Sequence, residues 1–376
     1  MKNLFLLSLL TMCLLSCKEQ KAGLPLLDAK FFETSIDGKD VKLYTLSSGH
    51  GLTMQVTNFG GRVVALWVPD KNGEMEDVVL GHPTIKDYID TKGERYLGPV
   101  VGPFANRIAK GQFELDGRKY QLPLNNNGQT LHGGLKGLDM VVWNVDKVTE
   151  NQIDLSYIAP DGQDGFPGNL NIKMVYTLTP DNEFKITYKA TTDKPTVVNL
   201  SHHGLFNLKG EGNGTITDHI LTINANGITP VDSVLIPTGE IMPVKDTPFD
   251  FTSATAIGQR IGDDNEQLRM GAGYDHNWVL NRSTDSDIEL VASVYEPVSG
   301  RFMEVYTDQP GLQFYSGNFF DGKVVGKHGK TLNYREALAL ETQKFPDSPN
   351  QPSFPSTRLD PGEIYTQTCI YKFSVK

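Results

Sequence analysis

The sequence predicts an all-β protein, organised as one large antiparallel sandwich or barrel. Many short segments carry β-branched and aromatic residues that alternate with polar ones, as in strands with one buried face. The 37 glycines and 21 prolines are scattered between these segments, as frequent turns require. No long window has a helical period, and no alternation of strands and helices indicates a parallel sheet. Because residues 31–376 contain no internal repeat and no low-complexity linker, we expect a single domain there.

Nine segments carry the strongest strand signal, and two others could each hold a short helix. In chain order the predicted strands are LTMQVTN, RVVALWVP, QIDLSYIA, LNIKMVYTLT, EFKITYKATT, HILTINA, IELVASVYEP, RFMEVYTD and IYTQTCIYKF. The segments with helical potential are HPTIKDYID and TSATAIGQRI. Clusters of Gly, Pro, Asn and Asp separate the strands at short intervals, which favours antiparallel neighbours joined by turns.

The N-terminal stretch MKNLFLLSLLTMCLLSCKEQ differs in kind from the rest of the chain. One lysine precedes an apolar run that is too short to span a membrane, which is typical of a secretory signal. Leu-Leu-Ser-Cys at 14–17 resembles the bacterial lipobox. We therefore expect a lipoprotein signal peptide over residues 1–16, acylation of Cys17, a tether over 17–30, and a periplasmic or surface lipoprotein of the cell envelope. A plain secretory signal cut nearby is the alternative.

Charge and cysteine usage limit the partners. Asp and Glu number 45 against 35 Lys and Arg, a formal net charge of −10, and no basic run occurs. Since a phosphate backbone would repel such a surface, we expect no nucleic-acid partner, and membrane contact only through the lipid anchor. With the signal peptide removed and Cys17 acylated, Cys369 is the single free thiol, which excludes a disulfide within the chain. We expect a monomer stabilised by a large core.

Two adjacent histidines in VVNLSHHGLFNL are candidates for chemistry. Side chains alternate across a strand, so Asn199, Ser201 and His203 share one face and His202 lies on the other. The polar face is the better candidate for a cleft. This favours His203 as the reactive histidine and His202 as a packed one. The competing interpretation is that His203 is a structural histidine with satisfied hydrogen bonds.

The segment LALETQKFPDSPN places a carboxylate among apolar residues. Ala337, Ala339, Glu341 and Gln343 fall on one strand face, where the small alanines are expected to leave room beside the polar pair. A carboxylate in a partly dry pocket has a raised pKa, which suits a general base. The alternative is an edge strand with a solvated Glu, although exposed strand faces seldom carry alanines.

Three further motifs offer polar groups to a ligand. GYDHNWVL contributes Asp275, GQTLHGG sets His132 against two glycines, and PFANRIAKG offers Asn106 with Arg107. A surface ion pair is the alternative for Arg107. The histidines show no spacing typical of zinc, so no metal is expected. The nearby aromatic residues that could stack on a sugar, or simply pack in the core, are Phe166, Trp278 and Phe319.

Taken together, the motifs resemble one known family. ANRIAKGQFELDGRKYQL, LHGG, DGFPGNL, GYDHNWVL, PGLQFYSGNF and LETQKFPDSPN match motifs of the aldose 1-epimerase (galactose mutarotase) family in content and order, and the resemblance covers residues 31–376. It implies a large antiparallel β-sandwich with its site in an open cleft on one sheet. It also implies interconversion of the α and β anomers of free aldoses such as glucose and galactose, without a metal or organic cofactor.

The resemblance assigns roles residue by residue. Glu341 is similar to the general base and His203 to the general acid, which predicts an ionised Glu341 and a protonated His203 at rest. The positions that bind hydroxyls or polarise the ring oxygen are matched by Asn106, Arg107, His132 and Asp275, with Gln343 as a further contact. Pro103, His202 and Leu205 depart from the family pattern, which bears on the range of substrates more than on the reaction.

Two other functions remain open at this stage. A non-catalytic sandwich that binds carbohydrate at the cell surface would share the fold, but it would not need both Glu341 and His203. An epimerase for phosphorylated sugars would need a cluster of arginines, and the site motifs offer only Arg107.

Overall fold

The computed structural model describes residues 23–49, 51–91, 93–284 and 286–376. The predicted signal peptide, Cys17 and the first part of the tether lie outside the described residues. The end of the tether is held against the domain, because Leu27 and Gln55 exchange two hydrogen bonds between backbone and side-chain amide at 2.9 and 3.1 Å. Over the described ranges, no helix has both the length and the apolar character needed to cross a membrane.

The described residues form strands β1 to β28 and helices α1 and α2. In chain order the strands are β1 (Thr34–Ile36), β2 (Lys39–Val41), β3 (Leu43–Ser47), β4 (Thr53–Thr57), β5 (Arg62–Pro69), β6 (Met75–Asp77), β7 (Val100–Val101), β8 (Arg107–Ile108), β9 (Gln112–Leu115), β10 (Arg118–Gln121), β11 (Thr130–Leu131), β12 (Asn144–Val148), β13 (Gln152–Ala159), β14 (Leu170–Leu178), β15 (Glu183–Thr192), β16 (Thr196–Val197), β17 (Ser201–His202), β18 (Ile220–Ile223), β19 (Ala225–Thr229), β20 (Met242–Pro243), β21 (Thr255–Ala256), β22 (Asp275–Leu280), β23 (Glu289–Tyr295), β24 (Arg301–Thr307), β25 (Gly311–Tyr315), β26 (Ala339–Gln343), β27 (Arg358–Leu359) and β28 (Tyr365–Val375). The helices are α1 (Ile85–Ile89) and α2 (Glu266–Gly271). Short 3-10 turns cover Ala29–Phe32, Ala109–Gly111, Leu138–Met140, Gln163–Gly165, Ile257–Gln259 and Ser348–Asn350.

The all-β prediction is confirmed, and each of the nine predicted segments contains a strand. Of the two segments with helical potential, HPTIKDYID forms α1, whereas TSATAIGQRI holds β21 and one 3-10 turn. Helix α2 is not foreseen from the sequence, because six residues are too few to show a period. Its start is stabilised by Asn265, whose Oδ1 accepts a hydrogen bond from the Gln267 backbone N–H at 2.9 Å.

Three antiparallel sheets build a single sandwich. A nine-stranded sheet runs in the order β12-β13-β14-β15-β28-β24-β23-β18-β21, a five-stranded sheet in the order β20-β19-β22-β25-β26, and a four-stranded sheet in the order β3-β4-β5-β6. One hydrophobic cluster joins all three, with Met174 from the largest sheet, Trp278 from the five-stranded sheet and Met54 from the four-stranded sheet. The other two sheets therefore cover the inner face of the largest one, and the core lies between them.

Strand β26 connects the core to the outer face of the five-stranded sheet. Its backbone is tied to β28 of the large sheet, since Tyr371 Oη donates to the Leu340 carbonyl at 2.8 Å and Gln367 Nε2 donates to the Thr342 carbonyl at 2.9 Å. The Leu340 side chain is fully buried in the core. Because side chains alternate along a strand, Glu341 leaves the opposite face, where the candidate site lies.

Candidate active site

A cavity of about 240 Å³ lies on the outer face of the five-stranded sheet. The register of β22, β25 and β26 sets Asn277, Gln313 and Glu341 side by side, so three distant parts of the sequence meet there. The residues that line the cavity are Glu94, Tyr96, Asn106, Arg107, Asn126, Leu131, His132, His203, Asp275, Tyr315, Phe319 and Glu341. The structure thus brings together six of the seven candidate site residues on the catalytic domain.

Glu341 and His203 form the centre of the cavity. Glu341 Oε1 lies 3.6 Å from His203 Nε2, and the two residues are only 2% and 6% exposed. His203 follows β17 directly, so it points to the face opposite His202. His202 packs among aromatic rings of the core, including Phe184 and Tyr371. Strand alternation therefore separated the two histidines correctly.

Burial determines the protonation of this pair. Removal from water raises the pKa of Glu341 well above its ordinary value, and the nearby Asp275 carboxylate adds to the effect, while Arg107 opposes it. Burial likewise lowers the pKa of His203 to about 4. Both shifts favour the neutral forms of Glu341 and His203. They therefore act against the expected ion pair, because burial removes water from both charges.

His132 is held in one tautomer by Asn106. The Asn106 backbone N–H donates to His132 Nδ1 at 3.1 Å, and the His132 backbone N–H donates to the Asn106 carbonyl at 2.9 Å. Both residues have left-handed φ angles, 64° for Asn106 and 51° for His132, which allow this reciprocal contact. Burial lowers the pKa of His132 well below its ordinary value, helped by His203 and Arg107. The neutral ring therefore carries its proton on Nε2, as a hydrogen-bond donor.

Arg107 and Gln313 orient Asp275. Arg107 Nη2 lies 3.7 Å from Asp275 Oδ2, and Gln313 Nε2 donates to Asp275 Oδ1 at 2.7 Å. Burial raises the pKa of Asp275, although Arg107 and Gln313 both act in the opposite direction. The sequence interpretation missed Gln313. The alternation of LQFY places Gln313 on the same strand face as Tyr315, but its pairing with Glu341 depends on the register between separate strands.

The structure places two parts of β26 differently from what the sequence led us to expect. Gln343 does not line the cavity, because its side chain is fully buried beyond Glu341. Ala337 and Ala339 do not leave open space beside the carboxylate either. Both pack in an apolar cluster that includes Tyr315 and Phe320. The strand parity was correct, but neighbouring elements cover the alanines.

Of the three candidate aromatic residues, one reaches the cavity. Phe319 lines it with 55% of its side chain exposed, and its ring stacks on Tyr315 with centroids 5.8 Å apart. Phe166 and Trp278 are buried in apolar clusters. Phe319 is therefore the ring available to an apolar sugar face.

The chain is similar to the proteins of one known family. The family model described as aldose 1-epimerase matches residues 42–372. The chain belongs to the aldose 1-epimerase family. A galactose mutarotase of Sus scrofa is 43% identical over 324 residues, which cover 86% of this chain and 92% of that protein. An aldose 1-epimerase of Escherichia coli K12 is 35% identical over 339 residues, which cover 90% and 96%.

Solved structures of the aldose 1-epimerase family share the fold. An aldose epimerase homologue from C. elegans superimposes with a TM-score of 0.82 at 32% identity, over 89% of this chain and 99% of that one. A galactose 1-epimerase from Lactobacillus acidophilus has a TM-score of 0.78 at 28% identity, over 91% and 97%. Sequence and fold together make this protein a mutarotase, an isomerase that acts on aldoses.

Within this epimerase cavity, three side chains of metal-ligand type lie close together. Ligand atoms of His132, His203 and Glu341 all fall within 4.8 Å of one another. However, His132 Nδ1 already accepts the Asn106 N–H, so the neutral ring holds a proton on Nε2. A metal at Nε2 would require loss of that proton or of the Asn106 contact. The donor set therefore suits hydrogen bonding and proton transfer better than coordination of a cation.

The sequence interpretation of this epimerase also missed Glu94 and Tyr96. The Tyr96 ring meets His132 edge-on, with centroids 4.6 Å apart, and lies 5.8 Å from the His203 ring. Both missed residues come from the irregular segment between α1 and β7. Because such a segment has no side-chain period, no local pattern indicates which of its residues reach the cavity.

Proposed function

We propose that Glu341 and His203 carry out the mutarotation as general base and general acid on free aldoses, with galactose and glucose among them. The observation that carries this assignment is the 3.6 Å separation of a buried carboxylate and a buried imidazole in one sugar-sized cavity. A base and an acid at this distance can reach the anomeric hydroxyl and the ring oxygen of the same pyranose. The relatives named galactose mutarotase support galactose as a substrate.

The proposed reaction needs only proton transfers. Glu341 takes the proton of the anomeric hydroxyl while His203 gives a proton to the ring oxygen O5. The C1–O5 bond breaks, C1 becomes an aldehyde, and rotation about C1–C2 exposes the other face of the carbonyl. Reclosure returns both protons and delivers the other anomer. A positioned base and a positioned acid each contribute roughly 10²–10⁴-fold, so no covalent intermediate is required.

Substrate binding is proposed to convert the neutral pair into the reactive ion pair. The neutral pair and the ion pair contain the same number of protons. The titrating proton is on Glu341 in the neutral pair and on His203 in the ion pair. A bound sugar donates a hydrogen bond from its anomeric hydroxyl to the carboxylate and accepts one at O5 from the imidazolium. Both bonds favour the charged forms, so the proton moves within the site.

The other polar groups are proposed to position the sugar. His132 offers a fixed N–H, and Arg107 offers donors beside the Asp275 acceptor. The Asn106 side chain adds an amide, although its Oδ1 already accepts the Arg107 backbone N–H at 2.9 Å. Each group is held by a neighbour before substrate arrives, which lowers the entropy that must be lost on binding.

We also propose that the mutarotase is a monomeric lipoprotein of the cell envelope, either periplasmic or at the surface, anchored through Cys17. The signal-like segment with its Leu-Leu-Ser-Cys run supports this location. The net charge of −10 favours attachment by lipid rather than by electrostatic contact with an anionic membrane.

Polarimetry on freshly dissolved α-D-galactose and α-D-glucose tests the proposal. The wild-type protein should speed the change in optical rotation of at least one of them. Glu341→Gln keeps the size and polarity of the side chain but removes the base. We expect it to lower kcat by roughly 10²–10⁴-fold while galactose binding, measured calorimetrically, persists.

An inactive wild-type protein that still binds sugar would instead favour a non-catalytic carbohydrate-binding sandwich. Retained activity in Glu341→Gln would contradict the assignment of the base. Glu304→Gln is the matched control, because this residue lies on β24 outside the cavity, and it should leave kcat unchanged.

A further inference from the structure

Glu94 is a third carboxylate in the cavity, beside Glu341 and Asp275. It is half-buried, and its Oε1 accepts a hydrogen bond from the backbone N–H of Tyr96 at 2.9 Å. That bond holds the side chain against its own segment and uses one oxygen of the carboxylate. Over the described part of the chain no group bonds to the second oxygen, so it can accept a hydrogen bond from a molecule in the cavity.

The segment that carries Glu94 is anchored from below by buried charges. Arg62 is fully buried, and its Nη1 donates to the carbonyls of Arg95 and Leu97 at 3.0 and 3.1 Å. Arg95 binds the fully buried Asp139 through two hydrogen bonds of 2.7 and 3.0 Å. The backbone that carries Glu94 is therefore fixed at Arg95 and Leu97, as expected of a preorganised binding group.

Glu94 differs from the other two carboxylates in its electrostatic surroundings. Asp275 faces the Arg107 guanidinium, and Glu341 faces the His203 imidazole. The Asp275–Arg107 pair carries no net charge. The Glu341–His203 pair carries none either when its two side chains share one titrating proton. Arg62 and Arg95 both pair with the buried Asp139 beneath the segment. Among the described residues, Glu94 is therefore the carboxylate of the cavity that has no ion-pair partner within 4 Å.

We propose that Glu94 is a further substrate-binding residue of this mutarotase, and that its charge makes the cavity accept aldoses with a protonated amine and disfavour aldoses with a carboxylate or phosphate. The inference rests on the proposed function, because it concerns the same cavity. An ammonium donates a charge-assisted hydrogen bond to a carboxylate, whereas an anionic sugar is repelled. Burial raises the pKa of Glu94, so its charged form lacks hydration and benefits from a cationic ligand.

The test compares kcat/KM for D-galactose, its 2-amino-2-deoxy and 6-amino-6-deoxy derivatives and D-galacturonate, at a pH where the amines are protonated. The wild-type protein should prefer at least one amino sugar to the uronate. Glu94→Gln retains an oxygen for the Tyr96 N–H but removes the charge. We expect it to lower the amino-sugar to galactose ratio by about ten-fold or more, and to raise the uronate to galactose ratio.

Two variants serve as controls. Glu114→Gln makes the same charge change at an exposed position of β9 outside the cavity, and it should leave every ratio unchanged. Glu94→Asp keeps the charge and should retain the amino-sugar preference. Ratios in Glu94→Gln that match those in Glu114→Gln would overturn the role of Glu94.

The wild-type protein also tests the inference without any variant. A uronate preferred over both amino sugars would contradict it directly. A wild-type protein that acts on no aldose would instead overturn the proposed function itself, so the two failures are distinguishable.

Discussion

Lys327 is a buried cation whose removal should destabilise the fold strongly. It lies in the long connection between β25 and β26, the connection that also carries Phe319 to the cavity. Its ammonium sits 2.6 Å from Asp77 Oδ2 and 3.1 Å from Glu211 Oε2, and all three side chains are at most 1% exposed. Burial lowers the pKa of Lys327, but the two carboxylates outweigh this and hold the pKa above its ordinary value.

Lys327→Met keeps the volume of the side chain but leaves two carboxylates without their cation. The ammonium also donates to the Val64 and Val79 carbonyls at 2.6 and 2.7 Å, so two backbone acceptors lose a partner as well. Breaking a buried ion pair from one side costs about 3–5 kcal/mol. We expect a loss of that size in the free energy of unfolding, measured by urea denaturation.

Lys323→Met is the matched control in the same connection. Lys323 pairs with Asp321 at the surface, with the two side chains 83% and 50% exposed, so its loss should change the stability little. A loss in Lys327→Met within about 1 kcal/mol of this control would refute the reasoning. The deficit should also shrink at lower pH. Lys327 lowers the pKa of Asp77 and of Glu211, so both pKa values should rise in the variant, and a group with a raised pKa is most stabilising below its unfolded value.

Two further predictions concern the catalytic pair and the lipid anchor. Mutarotation of galactose should require one shared proton on Glu341 and His203, so kcat/KM should fall below about pH 4, where His203 gains a second proton, and again as pH rises through the raised pKa of Glu341. A stopped-flow pH profile checks this, and an upper limb that persists in Glu341→Gln would contradict it. Cys17→Ser should release the protein from the membrane fraction on cell fractionation, whereas fractionation identical to wild type would argue against acylation of Cys17.

Strand alternation made the centre of the site predictable from sequence. His202 and His203 are adjacent, yet local parity alone sends one to the core and the other to the cavity. The same rule places Glu341 opposite Leu340. These predictions hold because they need only the backbone of one short strand. The alanines beside Glu341 show the limit of the rule, since parity gives a face but says nothing of what covers it.

Groups that depend on irregular segments could not be predicted in the same way. Lys327 stands between Gly326 and His328 in a polar run, and local pattern indicates an exposed loop. Its burial depends on Asp77 and Glu211, which are both far from Lys327 in the chain. Glu94 likewise reaches the cavity through contacts made by a distant buried arginine. These positions are fixed by charge pairing between residues that are distant in the chain, so a short segment of the sequence does not reveal them.

The pKa shifts of Glu341 and His203 oppose the charges that their proposed roles as base and acid require. The roles describe a complex in which sugar hydroxyls replace the hydration of both charges. Burial raises the pKa of Glu341 and lowers that of His203 to about 4, so both shifts favour the neutral forms. Both arrangements contain one proton. Binding can therefore create the base and the acid together without exchange with solvent, and release of product restores the neutral pair. A site that must act on both anomers gains from this symmetry, because either direction starts from the same resting state.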